Sequence, residues 1–110
     1  MSSARRYNVY TARFPFLDSS KSKIRPVIVL SQPYSVHKVV AVVPISSKLN
    51  PETVDVAIND LGAAGLLKPS VAQTHRLGTL LQSDLITQLG TLNVVDASKL
   101  QQSIRSFLGL

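Results

Sequence analysis

The sequence contains no cysteine. A disulfide framework, a thiolate metal site and a cysteine nucleophile are therefore excluded, and a reducing cytoplasm suits such a chain. Carboxylates are scarce, six Asp and Glu in 110 residues, which argues against a glycosidase-like acid pair. The two histidines, His37 and His75, are far apart and have no partner at metal-ligand spacing, so neither a metal nor any other cofactor is expected. There is no glycine-rich phosphate loop and no Gly-x-Ser-x-Gly elbow. No apolar run approaches the ~20 residues of a membrane span. The opening MSSARRYNVY carries a basic pair without a following apolar stretch, so no secretory signal is read there.

What is present is a globular composition, 45% hydrophobic and 16% charged, at a length that fits one domain spanning residues 1–110. The net charge is +6, and its distribution is uneven. Residues 1–50 hold eight Lys and Arg (Arg5, Arg6, Arg13, Lys21, Lys23, Arg25, Lys38, Lys48) against Asp18 alone, a net +7. Residues 51–110 hold four bases and five acids, a net −1. A polyanionic partner, nucleic acid or acidic protein, is one explanation. Solubility is the other.

The first two-thirds reads as strands. NVYTARF (8–14), PVIVLS (26–31) and VVAVVPIS (39–46) are short, rich in β-branched residues and bounded by turn residues, which favours strand over helix. ETVDVAI (52–58) and SVAQTHRL (70–77) alternate as half-buried strands do. In the second of these, Val71, Gln73 and His75 fall on one face and Ala72, Thr74 and Arg76 on the other. PFLDSSKSK and NDLGAAGLLKPS read as loops. The last third changes period. SDLITQLG (83–90) predicts a short helix with Ser83 as its cap and Gly90 after its end. NVVDASKLQQSIRSFLGL predicts a longer one, capped by Asn93, ended by Gly109, with Ala97, Leu100, Ile104, Phe107 and Leu108 on one face. Strands followed by a terminal helix suit a small curved antiparallel sheet or barrel.

Three features bear on chemistry. Arg25 stands before Pro26 at the mouth of an apolar strand; proline removes a backbone donor and biases Arg25 to an extended conformation. A permanently charged guanidinium held this way suits a phosphate, and it equally suits a rim ion pair with Asp18 or Asp55. Ser46 and Ser47 end the strand VVAVVPIS, where hydroxyls bind a phosphate oxygen or position a reacting hydroxyl, or simply make a turn. His75 has a side chain that titrates near neutrality and suits acid–base work; a lone strand histidine also serves as an ordinary surface or core residue.

Four segments in order resemble one family. ARFPFLDSSKSKIRPVIVLSQ resembles Phe-Pro-Phe, a polar loop and then basic-x-Arg-Pro-Val-x-Val-Leu-Ser. VVAVVPISS resembles a second strand ending Pro-Ile-Ser/Thr-Ser. GLLKPSVAQTHRLGTL resembles Gly-Leu-x-Lys-Pro-Ser-Val with a later Thr-Leu. QLGTLNVVDASKLQQSIRSFLGL resembles a Leu-Gly-x-Leu segment and closing helix. Together they are similar to the MazF/PemK toxins of type II toxin–antitoxin systems. The resemblance implies a mainly β chain with a C-terminal helix, a small SH3-like barrel shared with the gyrase-poisoning toxins, and a homodimer. It implies a cytoplasmic, metal-independent endoribonuclease that leaves 2′,3′-cyclic phosphate and 5′-OH ends on single-stranded RNA. It also implies an antitoxin whose acidic, disordered tail wraps the basic face.

On the matching positions, the resemblance makes Arg25 the catalytic arginine, Ser46 the hydroxyl where members carry threonine, and His75 the acid–base group. Lys21, Lys23, Ser47, Lys48 and Gln73 become RNA contacts. Tyr7-Asn8 stands where members begin the first strand with Gly-Asp, and Gln73-Thr74-His75 where some carry Arg-x-Asp. A protein-gripping toxin without chemistry and a non-catalytic nucleic-acid binder are the competing functions, since fold alone does not choose among them.

Overall fold

Two long strands, each with a buried apolar set on both faces, organise the chain. β1 (Asn8–Phe14) pairs antiparallel with β2 (Lys23–Val29) in a register that sets Val9 against Ile28 and Ala12 against Arg25. The computed structural model describes residues 4–14, 23–48 and 51–110. β3 (Val39–Ser46) continues the sheet beside β2 and has two partners on its other edge. β6 (Gly78–Leu81) pairs with its first half and β5 (Val71–Ala72) with its end. β4 (Val56–Ala57) adds to β5, and β7 (Leu85–Thr91) adds to the free edge of β1.

The strand path is therefore β4-β5-β3-β2-β1-β7, with β6 also on β3. Among the described residues this antiparallel sheet does not close into a barrel, because β4 and β7 end the path without meeting. The expected fold class stands, and its barrel is an open one.

Alternation along the strands divides the interior into two clusters. Tyr10, Ala12, Val27, Val29, Val40 and Val42 share one face with Leu80 and Leu85. Val9, Ile28, Val43 and Ile45 share the other with Ile58, Leu92, Ala97 and Leu100. The last two belong to α2 (Val94–Leu108), whose start is capped by Asn93 accepting from the Asp96 N–H and whose end is Gly109 in the left-handed region. Ala97 and Leu100 are buried and Ile104 packs at the margin, as the 3–4 spacing requires. Phe107 and Leu108 remain 42% and 52% exposed, because the sheet does not extend beneath the last turn. No helix of the described residues is long and apolar enough to cross a membrane.

Four segments differ from the sequence reading. Residues 85–91 form β7, not a helix. Leu85 and Leu89 have helical spacing, but the β1 edge offers this segment a full ladder. Strand 52–58 shrinks to Val56–Ala57 because the Asp55 carboxylate accepts from the Glu52 N–H and folds the preceding residues into a turn. Strand 70–77 stops after Ala72 and passes into a 3-10 turn, Thr74–Arg76. The expected alternation breaks there: Thr74 is fully buried, hydrogen-bonded to Ser103 Oγ (2.8 Å). The loop 59–70 contains a one-turn helix, α1 (Leu61–Ala64), capped by Asp60 and closed by Gly65.

Candidate functional site

Arg25 lies on β2 opposite Ala12, and Val27 pairs with Pro44. Continuing that register by two residues brings Arg25 beside Ser46, which itself pairs with Val71. Ladder pairing ends at Val27 and Pro44, so the register brings Arg25 and Ser46 near each other along the backbone, just past the last paired residues. Both flanking prolines sit inside strands. Pro44 has no N–H to give, and its carbonyl accepts from the Gln73 N–H at 2.9 Å. The strand thus runs through Pro44 to Ser46, the bounds read from the sequence.

A cleft of about 230 Å³ opens at this end of β2 and β3. Arg25, Ser47, Lys68 and Ser70 are its polar lining, with Ile45 and Leu66 among its apolar walls. Two cations and two hydroxyls around one opening suit an anion.

The loop that brings Lys68 there is held from behind. Gly65 has φ +74°, and a Cβ on it would lie 2.1 Å from the Leu89 carbonyl oxygen. A Cβ on Gly90 would lie 2.2 Å from the Ala63 carbonyl oxygen. Backbone meets backbone across these two glycines, fixing α1 against β7. The α1 entrance is fixed in turn by buried Asp96, whose carboxylate accepts from the Asn59 and Asp60 N–H groups. Ser70 Oγ donates to the Lys68 carbonyl at 2.8 Å.

Ser46 Oγ accepts from the Lys48 N–H at 3.1 Å. The hydroxyl makes a turn, as the simpler reading expected, and keeps its own proton to donate. Lys23 and Lys48 are exposed. Gln73 is half-buried, and neither it nor His75 lines the cleft. Lys21, like Asp18, lies outside the described residues.

His75 occupies the 3-10 turn beyond β5. Its Nδ1 is 2.8 Å from Asp55 Oδ1, and its backbone N–H reaches the same oxygen at 3.4 Å. The Asp55 side chain is 1% exposed and the imidazole 26%. Because the other carboxylate oxygen accepts from Glu52, the geometry assigns Asp55 as acceptor and His75 Nδ1–H as donor. Asp55, one of the acids proposed to pair with Arg25, is thus engaged with His75. The cleft thus joins Arg25 to Ser47, Lys68 and Ser70, and His75 stands outside it, paired with Asp55.

Lys68 is a residue of the candidate site that the sequence reading does not single out, and Asp55 stands there as a partner of Arg25 and not of His75. Lys68 stands in the quoted block GLLKPSV, where its charge was a usable signal. Asp55 carried none, because only the Glu52–Asp55 turn aims it at residue 75. Tyr7 has φ +71°, held by bonds from its N–H to Val29 and from the Leu92 N–H to its carbonyl. A glycine adopts that conformation without strain, which suits the Gly-Asp start that the family resemblance leads one to expect at this corner. Asn8 Oδ1 accepts from Thr91 Oγ1 at 3.0 Å.

Residues 5–108 match the family described as PemK-like, MazF-like toxin of type II toxin–antitoxin systems. No curated protein matches the sequence. Among solved structures, the chain is similar to the Mycobacterium tuberculosis toxin MazF-mt6, with 25% identity, TM-score 0.74, and 94% of this chain and 97% of that one covered. A mycobacterial endoribonuclease in complex with its cognate antitoxin shares the fold at 18% identity and TM-score 0.74, covering 96% and 94%. MazF of Deinococcus radiodurans does so at 16% identity and TM-score 0.75, covering all of both chains. The match along nearly the whole sequence and the shared sheet-and-helix architecture agree: this chain belongs to the PemK/MazF family of type II toxin–antitoxin toxins.

Proposed function

We propose that the protein is a metal-independent endoribonuclease that cuts single-stranded RNA by attack of a 2′-OH on its own 3′-phosphate. The new O2′–P bond closes a 2′,3′-cyclic phosphate, the P–O5′ bond breaks, and the leaving oxygen takes a proton to become a 5′-OH. The observation that carries the reading is the cleft in which Arg25 and Lys68 converge with the Ser47 and Ser70 hydroxyls, while Ser46, next to Ser47 in the chain, is not among the residues lining it.

Negative charge grows on the non-bridging oxygens during attack, and fixed cations stabilise it more than they stabilise the ground state. Arg25 takes this role, with Lys68 as a second contact. Ser46 donates to the phosphate or orients the 2′-OH. Arginine is a poor proton donor because its pKa is so high, so proton transfer falls to His75. Asp55 holds the Nδ1 proton of that ring and leaves Nε2 for exchange. The two groups act on one phosphate if the arginine reaches across Ser46. Lys21, Lys23, Lys48 and Gln73 are the proposed flanking RNA contacts.

The regulatory partner is an antitoxin with an acidic segment, in keeping with the +6 charge and with the antitoxin bound to the mycobacterial relative. The assembly is a homodimer, for which Ile86, Val95, Phe107 and Leu108 offer exposed apolar surface. The proposed compartment is the cytoplasm, where a toxin of this kind would meet its RNA and its antitoxin.

The test is cleavage of mixed RNA in EDTA with the ends mapped, comparing parent, Arg25→Ala, Ser46→Ala and His75→Ala. Cyclic phosphate ends that vanish in a folded Arg25→Ala variant support the reading. A folded parent that cleaves nothing refutes it in favour of a binding module. His75→Ala cleaving at the parental rate removes the imidazole from the centre and leaves Arg25 and Ser46.

A further inference from the structure

A second basic groove lies at the opposite end of β2. It measures about 500 Å³ and is lined by Arg5, Arg6, Leu30, Ser31, Gln32 and Tyr34. Arg5 and Arg6 are exposed, and no acidic residue is among those lining it. Tyr34 is 60% exposed, so its side chain is open to solvent at the groove.

The frame around these side chains is fixed. Tyr34 exchanges two backbone hydrogen bonds with Val39, both 2.9 Å. Ala4 is buried, and its N–H donates to Gln82 Oε1, while the Gln82 N–H donates to the Lys38 carbonyl at 2.8 Å. The N-terminal segment, the β2–β3 hairpin and the turn before β7 are thereby tied together. Arg6 stacks its guanidinium over the Tyr7 ring at 4.9 Å. Among the described residues, the three non-glycine positions with positive φ, Tyr7, Ser35 and Lys38, all sit in this frame. Backbone held in that region is strained for a residue with a side chain, and such positions concentrate at functional sites.

We infer that this groove is a second RNA-binding site, taking the single-stranded segment that flanks the cleavage point. A base stacks on Tyr34, phosphates rest on Arg5 and Arg6, and Ser31 and Gln32 supply hydrogen bonds to base or sugar. Ser31 Oγ accepts from the Ala41 N–H and keeps its own proton to donate. Positively charged grooves with exposed aromatic platforms are how proteins hold single strands without reading sequence. An acidic peptide would use the two arginines but not the ring, and for that reason the tyrosine favours RNA. Six residues of β2 and its extension separate Arg25 from Ser31, roughly 20 Å, a span that several nucleotides of extended RNA cover. The inference rests on RNA being the substrate.

The experiment uses a fluorescein-labelled 2′-O-methyl RNA of mixed sequence, which lacks the attacking hydroxyl and stays intact. Binding is followed by fluorescence anisotropy over a range of salt, with polyglutamate as competitor. Tyr34→Ala is expected to weaken binding about tenfold, the size of one base–aromatic stack, and Tyr34→Phe to retain it. Arg5→Ala/Arg6→Ala should lower the slope of log affinity against log salt by roughly 1.4. All of these side chains are exposed, so melting temperatures should match the parent. Parental binding by all variants overturns the groove. So does a Tyr34 dependence found for polyglutamate and absent for RNA, which would make the site a protein contact. Cleavage of unmodified RNA is measured in parallel. A parent that cleaves while the variants bind and cleave as it does removes the groove and keeps the nuclease. A parent that never cleaves but loses RNA binding through Tyr34 removes the nuclease and keeps the groove.

Discussion

Replacing Asp96 with alanine removes the carboxylate that ties α2 to the entrance of α1. Asp96 is 1% exposed. Its oxygens accept from the Asn59 N–H at 3.1 and 3.2 Å and from the Asp60 N–H at 2.9 Å. Hydrogen bonds to a charged acceptor contribute about 1.5–3 kcal/mol each. Asn59 and Asp60 are exposed, so water partly replaces the lost acceptor, and the expected loss is about 2–4 kcal/mol. Against a typical domain stability of about 5–15 kcal/mol, that is a large share. With a urea slope of about 1–3 kcal/mol/M, the unfolding midpoint should fall by about 1–2 M. The chain has no tryptophan, so far-UV circular dichroism is the suitable signal. Asp96→Asn keeps one acceptor oxygen without the charge and should fall between the two. A midpoint for Asp96→Ala within ~0.3 M of the parent would refute the argument that this carboxylate holds the α1 entrance.

Three further outcomes follow from the same geometry. Gly90→Ala drives a Cβ to 2.2 Å from the Ala63 carbonyl oxygen and should destabilise by about 3 kcal/mol or more; an unchanged melting temperature would show that α1 and β7 do not meet as described. Lys68→Ala, at an exposed position, should leave stability within about 0.5 kcal/mol yet reduce the salt slope of RNA binding by roughly 0.7; an unaltered slope takes Lys68 out of the RNA contacts. Asp55→Ala should cost about 1–3 kcal/mol through the unpaired Glu52 N–H and His75 Nδ1–H. It should also move the nitrogen NMR signals of His75 away from the Nδ1–H tautomer, and identical spectra would mean that Asp55 does not set the proton's place.

The local pattern was sufficient wherever an element is decided by its own residues. Short β-branched runs bounded by turn residues placed β1 and β3 at their bounds and β2 about three residues late, and the Asn93 cap, the 3–4 apolar spacing and Gly109 placed α2 with both ends correct. Arg25 and Ser46 stand out as candidates in the sequence because each lies in a quoted motif, Arg25 before a proline and Ser46 at the end of a strand. The failures lie where a neighbour outvotes the local signal. Residues 85–91 have leucines at helical spacing, yet the open edge of β1 recruits them into a strand. Residues 73–77 alternate like a strand, yet buried Thr74 bonding Ser103 of the distant helix pulls them into a 3-10 turn.

The sequence by itself determined the charge asymmetry, the absence of thiol chemistry, the strand-then-helix order and the family. Each is a property of composition or of contiguous residues. The tertiary structure alone decided which charged groups meet. Register across β2 and β3 brings Arg25 near Ser46, and the cleft leaves His75 outside it. Two glycines in backbone contact bring Lys68 to the cleft, and a turn twenty residues upstream aims Asp55 at His75. Such pairings depend on separations in space between positions far apart in the chain, and no local periodicity encodes them.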